Sequence, residues 1–210
     1  AGPTREPIDP VRFLSNRSSG KMGFALAQAA QRRGAAVTLV TGPVALADPW
    51  GIDVIRVTTA EEMAAAVLGQ APAMDVIIKS AAVADFRPAS CQSLKIKKTN
   101  QGLRLDLIKN RDILAELGHR RQPHQVLVGF AAESHDHLSE GQRKLREKNL
   151  DLIVVNDILG SETGFDVATN QVTLIGRKEI HPLPLLSKEA TADRILDRVV
   201  TLLGEKAIKE

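Results

Sequence analysis

The chain has no tyrosine, one tryptophan, five phenylalanines and a single cysteine among its 210 residues. The lone Cys91 excludes an internal disulfide and any site built from several thiolates, and it is compatible with a reducing compartment. The absence of tyrosine excludes the chemistry of short-chain reductases, which use a catalytic tyrosine. No stretch approaches the roughly 20 consecutive apolar residues that span a bilayer. We therefore expect a cytoplasmic protein without a membrane partner.

The charges that are present nearly balance, with 28 Lys and Arg against 25 Asp and Glu and a net charge of +3. This excess is too small to require a nucleic-acid partner, but it favours small polyanionic ligands where lysines converge. The five histidines lie in loops or at element ends without a cysteine or carboxylate set, so we expect no metal held by protein side chains alone. The length predicts one domain, 1–210.

Short apolar runs alternate with helical patterns along most of the chain. Because these runs lack polar alternation, they indicate strands covered on both faces. We predict an α/β fold: a Rossmann-like, doubly wound, mostly parallel sheet with helices on both faces. The predicted strands are 36–40, 54–57, 76–78, 125–130 and 152–155. The predicted helices are 60–68 capped by Thr59, one that begins with Asn110 as its cap, 139–148 with a capping box of Ser139 and Gln142, one capped by Ser187, and 24–33.

Two segments alternate apolar and polar residues and predict β-hairpins that leave this sheet. The first has strands at 95–98 and 103–107 joined by a turn at 99–102, and the second has strands at 171–175 and 178–180. We expect excursions at about 86–108 and 168–184 that serve as dimerisation or flap elements.

The stretch from Ser15 to Gly23 predicts a helix start that suits an anion. Ser18 and Ser19 can cap the first turn, while Gly20 and Gly23 allow a phosphate or a neighbouring strand to approach the backbone. An ordinary capped helix that packs its glycines against a sheet explains the same residues.

Two familiar phosphate-binding motifs do not fit this stretch. A P-loop needs Ser or Thr where Met22 stands and a glycine where Ser15 stands. A dinucleotide-binding Rossmann motif needs an acidic residue at the end of the second strand, which here reads Val40-Thr41-Gly42. Nicotinamide chemistry is therefore disfavoured.

Small, polar and aromatic residues stand at the carboxyl ends of the predicted strands, the edge where doubly wound sheets bind ligands. They are Ala81, Ala82, Asp85, Phe130 and Asn156. Good packing and loop capping explain any one of them, but a shared binding site explains the whole set better. Lys144 and Lys148 lie on one helical face and supply positive charge. Taken singly, each is equally explained as a solvated surface lysine.

Six ordered motifs across essentially the whole chain resemble the bacterial phosphopantothenoylcysteine synthetase domain of the bifunctional coenzyme A biosynthesis flavoprotein. They occupy residues 1–12, 15–23, 81–88, 95–98, 129–133 and 149–151. In that flavoprotein the domain follows a decarboxylase domain. The resemblance therefore implies that the chain is the C-terminal part of a longer polypeptide and begins just after the first strand of the synthetase domain.

The resemblance implies a ligase that joins 4'-phosphopantothenate to cysteine. The substrate carboxylate attacks the α-phosphate of CTP, giving an acyl-cytidylate and pyrophosphate, and the amine of cysteine then displaces CMP. Mg²⁺ would be held mainly by the nucleotide phosphates, and FMN would belong only to the separate decarboxylase domain. The choice of CTP over ATP rests on the resemblance alone. A non-catalytic nucleotide-binding or NAD(P)-binding Rossmann-like module is the alternative.

The resemblance also implies a role for individual residues. Asn16 would hold the carboxylate and the acyl-cytidylate, and Lys95 would act in the cysteine step. Arg12 would reach the substrate of a neighbouring subunit, which implies a homodimer with a shared site. The substrate-binding residues would be Arg12, Asn16, Ala81, Ala82 and Asp85. The nucleotide-binding residues would be Gly2, Ser18, Gly20, Gly23, Ala81, Asp85, Lys95, Asn110, Arg111, Asp112, Ile113, Phe130, Lys144, Lys148 and Asn156.

Overall fold

A computed structural model describes residues 1–98, 102–133, 136–157 and 169–208. In chain order the elements are β1 (Arg5–Pro7), β2 (Phe13–Ser15), α1 (Lys21–Arg32), β3 (Thr38–Thr41), β4 (Asp53–Arg56), α2 (Ala60–Gln70), β5 (Val76–Lys79), β6 (Phe86–Pro88), β7 (Leu107–Lys109), α3 (Ile113–Arg120), β8 (Val126–Glu133), α4 (His137–Glu147), β9 (Leu152–Asp157), β10 (Thr169–Asn170), β11 (Val172–Gly176), β12 (Ile180–Pro182), β13 (Leu186–Ser187) and α5 (Lys188–Ala207). A short 3₁₀ turn, Ala71–Ala73, follows α2.

The main sheet has five strands in the order β12-β11-β9-β8-β5. Strands β5, β8 and β9 run parallel, whereas β11 and β12 are antiparallel additions at one edge. Strand β3 pairs in parallel with β4 as a separate two-stranded sheet. The predicted α/β fold with a mostly parallel arrangement is confirmed.

Successive residues of β8 and β9 point to opposite faces and build two cores. On one face Val126, Val128 and Val154 pack against α1 and α5. On the other face Leu127 and Ile153 pack against α2, α3 and α4. Helices therefore cover both faces, which explains why these strands lack polar alternation. Within the described ranges, none of the helices combines the length and the apolarity needed to cross a bilayer.

Of the caps predicted for α2, α3, α4 and α5, two are confirmed and two are wrong. Thr59 forms a capping box with Glu62 at the start of α2, and the Ser187 hydroxyl accepts from Ala190 N at the start of α5. The cap of α3 is Asp112 rather than Asn110. The N-cap of α4 is Asp136, whose backbone is left-handed and whose side chain makes no cap hydrogen bond. The capping box predicted at Ser139 is therefore absent. The Ser139 hydroxyl donates to Asp136 O instead.

The first excursion differs from the predicted hairpin. Its paired strands are β6 and β7, with Arg87 opposite Ile108, and residues 95–98 form no strand. Side-chain contacts hold this segment instead, because the Asp9 carboxylate accepts from Ile96 N at 3.1 Å and Arg12 Nη2 donates to Ile96 O at 2.7 Å. Residues 99–101 of the predicted turn lie outside the described residues. The second hairpin pairs as predicted, through β11 and β12, and extends the main sheet.

A cavity of about 340 Å³ lies between β3 and β5 and is lined mainly by apolar side chains. Each of these strands has an edge here that faces the cavity, because β5 ends the five-stranded sheet and β3 pairs only with β4. Helices α1 and α5 contribute Leu26 and Val199 to its wall, and α2 contributes Met63. At the end of the cavity, Ala1 O accepts from Gly42 N at 3.0 Å. The space has the position of a strand between two parallel neighbours.

Candidate active site

A second cavity, of about 300 Å³, opens at the carboxyl ends of β5, β8 and β9 beside the start of α1. The parallel strands deliver their following residues to this edge, as expected for a doubly wound sheet. Many of the residues singled out in the sequence meet here. They are Asn16, Ser18, Gly20, Gly23, Ala81, Ala82, Asp85, Phe130, Lys144, Lys148 and Asn156.

Helix α1 begins in the floor of this cavity, but not with the caps expected. Its N-cap is Gly20, in the left-handed region at φ 76°, and it has no side-chain cap hydrogen bond. Ser18 and Ser19 are therefore not helix caps. The Ser18 hydroxyl instead accepts from Gly20 N at 3.3 Å. The first-turn N–H groups of an α-helix have no partner within the helix, so the site offers them to a ligand.

Gly23 allows α1 to pack closely against its neighbours. A Cβ at this position would lie 2.5 Å from Ala1 Cβ and 2.7 Å from the Ser80 hydroxyl oxygen. Real Cβ atoms do not come this close to their neighbours, so only glycine lets α1 lie against the end of β5. The close packing considered for Gly23 is observed, and its contact with a nucleotide stays a prediction.

Replacing Gly20 by alanine should destabilise the protein and the start of α1. The left-handed conformation costs a non-glycine residue about 1–2 kcal/mol. The new Cβ would also lie 2.7 Å from Val44 Cγ1. Gly34 is a matched control, because it has φ 87° but an added Cβ there would meet no atom within 4 Å. In urea unfolding we expect a larger loss for Gly20→Ala than for Gly34→Ala; equal losses would show that the contact with Val44 is relieved without cost.

Two asparagine amides face the cavity without adding charge. Asn16 Nδ2 donates to Val83 O at 3.1 Å, which fixes the orientation of the amide and leaves its second N–H available. Asn156 Oδ1 is buried and has no hydrogen-bond partner among the described residues. Because a buried acceptor without a partner is costly, Asn156 is suited to receive a donor from a ligand.

Lysines dominate the charge of the cavity. Five lysines line it: Lys21, Lys79, Lys144, Lys148 and Lys188. Among the described lining residues, Asp85 supplies the single carboxylate. Lys148 Nζ forms an ion pair with Asp112 Oδ2 at 2.8 Å. Burial raises the pKa of the Asp112 carboxyl, but the contacts with Lys148 and Ala115 N outweigh this effect and keep the pKa below its usual value. Burial, and then the charge of Lys148, lower the pKa of Lys79 to about 8. The site is therefore electropositive at neutral pH and suits a polyanion.

Several predicted residues lie behind the wall of this cavity. Gly2 O accepts from Ala82 N at 2.9 Å, and Asn110 Nδ2 donates to Ala84 O at 2.8 Å, so both position the loop that follows β5. Arg111 is engaged by the Glu61 and Glu116 carboxylates. Asp112 supports Lys148, and Ile113 is buried in the core. Gly2, Asn110 and Asp112 thus support the cavity wall. The contacts of these five residues with a nucleotide stay predictions.

Arg12 and Lys95 lie outside this cavity, on the projecting part of the chain. Arg12 forms an ion pair with Asp9, donating from Nε to Asp9 Oδ2 at 2.9 Å. Together with hydrogen bonds from Val11, Arg12 and Ile96, this contact keeps the pKa of Asp9 well below its usual range. Lys95 is exposed beside Ile96. The ion pair at Asp9 thus ties the segment that carries Lys95 to the loop between β1 and β2.

Sequence reasoning missed Lys79 and Lys188, which also line the cavity. Lys188 is only 4% exposed and donates to Asn170 Oδ1 at 2.7 Å. A signal for Lys79 was present, because it is a charged residue at the end of an otherwise apolar strand, just before Ala81. Among the described residues, no group of three His, Cys, Asp or Glu side chains could hold a metal ion.

Known proteins resemble this chain along its whole length. Residues 1–203 match the family model described as the DNA/pantothenate metabolism flavoprotein C-terminal domain. The coenzyme A biosynthesis bifunctional protein CoaBC of Vibrio vulnificus (strain YJ016) is 46% identical over 206 residues, which are 97% of this chain and 51% of that protein. CoaBC of Bacillus subtilis (strain 168) is 48% identical over 206 residues, 96% of this chain and 50% of that protein. The chain thus spans about half the length of these relatives.

Solved structures share the fold. The crystal structure of the C-terminal domain of CoaBC is 41% identical, with a TM-score of 0.84, and the match covers 98% of this chain and 93% of that one. A Cab2 variant in complex with phosphopantothenate-cysteine has the same fold at 16% identity and a TM-score of 0.79, covering 99% of this chain and 86% of that one. The chain therefore belongs to the DNA/pantothenate metabolism flavoprotein C-terminal domain family.

Proposed function

We propose that the chain is a ligase of coenzyme A biosynthesis, which joins 4'-phosphopantothenate to cysteine with CTP as the activating nucleotide. The observation that carries this proposal is the cavity at the strand ends, where a helix start, neutral amides and lysines converge. Family membership and the 46% identity to a coenzyme A biosynthesis protein support it. We place the reaction in the cytoplasm, in line with the exposed free Cys91.

The proposed chemistry needs charge neutralisation and positioning more than covalent help. A carboxylate is a poor electrophile until one oxygen becomes a good leaving group, so attack on the nucleotide α-phosphate must come first. This step brings anions together, which the lysines and the first-turn amides of α1 make favourable. The amide of Asn16 can orient the substrate carboxylate without charge. Mg²⁺ bound mainly by the phosphates would neutralise the leaving pyrophosphate. Asp85 is the one carboxylate in the part of the cavity wall that the structure describes.

The nucleotide base is proposed to lie near Phe130 and Asn156. Phe130 offers an aromatic face at the cavity wall, and the unpaired Asn156 Oδ1 can accept from an exocyclic amine or a ribose hydroxyl. Cytosine and adenine both carry an exocyclic amine, whereas uracil does not. Comparing turnover with CTP, ATP and UTP tests this assignment, and we expect CTP to be preferred and UTP to be rejected.

The decisive experiment mixes the protein with CTP, Mg²⁺, 4'-phosphopantothenate and cysteine and follows pyrophosphate. We expect pyrophosphate only when phosphopantothenate is present, and amide product only when cysteine is added. No pyrophosphate with either CTP or ATP would refute the ligase. Nucleotide binding by calorimetry without turnover would instead favour the alternative, a nucleotide-binding regulatory module of Rossmann-like fold.

We further propose a homodimer with a shared site, in which Arg12 reaches the substrate of the partner. Exposed apolar side chains concentrate on the unit formed by β1, β2, β6 and β7 and support this proposal. They are Val11, Phe13, Phe86, Leu107 and Ile108. Sedimentation should give twice the monomer mass. Replacing both Phe13 and Phe86 by serine should give monomers with little activity, and an active monomeric variant would refute the shared site.

Finally, we propose that the chain is the C-terminal part of a bifunctional polypeptide whose other part is a decarboxylase. The half-length match to bifunctional relatives supports this, as does the strand-shaped cavity between β3 and β5. An extension of five alternating Val and Ile residues before Ala1 should fill the cavity and raise the melting temperature by several degrees. The same extension with Ser in place of Val and Ile is the control. Equal melting temperatures would show that the cavity takes no strand.

A further inference from the structure

Lys79 is a half-buried cation at the carboxyl end of β5, the strand that ends the main sheet. It is the last residue of β5 and lies opposite Gly129 of β8. Leu114 and Leu150 pack over Gly129, because a Cβ there would lie 2.7 Å from Leu114 Cδ2 and 2.8 Å from Leu150 Cδ1. Strand alternation puts Lys79 on the same face as Ile77, where α3 and α4 pack. Lys79 lines the cavity at the strand ends, and the next residue, Ser80, contacts the first turn of α1 at Gly23.

The described part of the chain supplies Lys79 with no carboxylate at ion-pair distance. The nearest carboxylate partners are already engaged or remote, because Asp112 is paired with Lys148 and Asp85 acts on Lys79 only as a weaker, longer-range charge. The positive charge of Lys148 repels that of Lys79, and both residues line the cavity. Two ammonium groups therefore share one carboxylate in a partly buried place, an arrangement that an anion between them would relieve.

A lysine in this position is unfavourable for stability without a ligand. Burial removes water from its amine, and the pKa falls to about 8 as a result. At neutral pH the amine is still mostly protonated. Ionisable groups perturbed in this way are common in binding clefts, where the ligand supplies the missing counter-charge.

We propose that Lys79 binds the phosphates of the nucleotide, as a second cation beside Lys148 in the cavity that the start of α1 also lines. The proposal rests on the ligase function proposed above and adds a residue to its nucleotide site. Two features around Lys79 point to a phosphate: the start of α1, which lines the same cavity, and the ammonium of Lys148. A neutral nucleoside would leave the repulsion between the two lysines in place.

The test replaces Lys79 by methionine, which keeps the length of the side chain and removes the charge. Without ligand, Lys79→Met should melt at a higher temperature, because the desolvated cation is gone. In calorimetry its affinity for CTP should fall about tenfold or more, as expected for the loss of one hydrogen bond to a charged group. Inhibition of turnover by cytidine, which has no phosphate, should be unchanged. Lys79→Gln provides a second variant of similar size.

Lys178, which is exposed on the turn between β11 and β12, is the matched control, and Lys178→Met should change none of these values. Unchanged CTP affinity in both Lys79 variants overturns the proposal, as does an equal loss of CTP and cytidine affinity, which would indicate a contact to the nucleoside. These outcomes leave wild-type turnover intact and the ligase proposal standing. A wild-type protein that neither binds CTP or ATP nor releases pyrophosphate overturns both proposals.

Discussion

Replacing Asn16 by alanine should lower the rate of acyl-cytidylate formation by about 10²–10³-fold, the range seen when one preorganised polar contact to a reacting centre is removed. The physical reason lies in the position of the amide. Asn16 Nδ2 is held by Val83 O at 3.1 Å, so its remaining N–H and its oxygen face the cavity in a fixed orientation. A carboxylate bound there would be aligned for attack on the α-phosphate, and alanine leaves it free to rotate.

The fold should survive this change, because Asn16 is exposed and its side chain is held by a hydrogen bond to the loop after β5 rather than by the core. Pyrophosphate release in the absence of cysteine measures the first step alone. Asn16→Asp is the informative partner variant: it keeps the size of the side chain but repels a carboxylate, and it should be at least as impaired as Asn16→Ala. Ser15→Ala, whose hydroxyl contacts Thr4 O away from the cavity, serves as a control. Normal pyrophosphate release by Asn16→Ala would remove Asn16 from the mechanism.

The fold was predictable because its strongest signals are local and agree with one another. The apolar runs at Val126–Val128 and Leu152–Val155 have no polar alternation, since both of their faces are covered by helices. Thr59 and Ser187 each precede a helix and cap it as expected. Such signals depend on the chain near each element, so they survive folding into any compact arrangement.

Where the predictions were wrong, tertiary contacts or backbone conformation decided. Residues 95–98 alternate apolar and polar side chains like a strand, but Ile96 N donates to the Asp9 carboxylate, and these residues form no strand. Helix α1 starts at a left-handed glycine, a conformation that leaves no place for a serine cap. Neither the partner of Ile96, which is 87 residues away, nor the φ angle of Gly20 can be read from sequence periodicity.

The candidate site was partly predictable for a similar reason. Residues that follow parallel strands must share one edge of the sheet, so the meeting of Ala81, Phe130 and Asn156 follows from topology alone. The side-chain pairing of Lys148 with Asp112 requires the packing of α3 against the end of α4, which is known only from the structure. The roles carried over to Asn16 and Lys95 remain predictions.

Lys95 presents the opposite situation from Asn16, because the structure places it outside the cavity. It is exposed on the segment between β6 and β7, which Asp9 and Arg12 hold through Ile96. To act on an acyl-cytidylate, this segment must close over a cavity of its own subunit or of the partner. A lysine that reaches the cavity only after this closure suits the second step. In that step the amine of cysteine attacks the activated carbonyl, and negative charge develops on the carbonyl oxygen.

Replacing Lys95 by glutamine should therefore leave the first step intact and slow the second by about 10²–10⁴-fold, the range for a positioned charged group. The acyl-cytidylate should accumulate, and mass spectrometry of quenched reactions should detect it alongside one equivalent of pyrophosphate per site. Lys98→Gln, three residues along the same exposed segment, is the matched control and should turn over normally. If Lys95→Gln instead released no pyrophosphate, Lys95 would belong to nucleotide binding in the first step. If it formed product at the normal rate, closure of the segment over the cavity would have no part in the reaction.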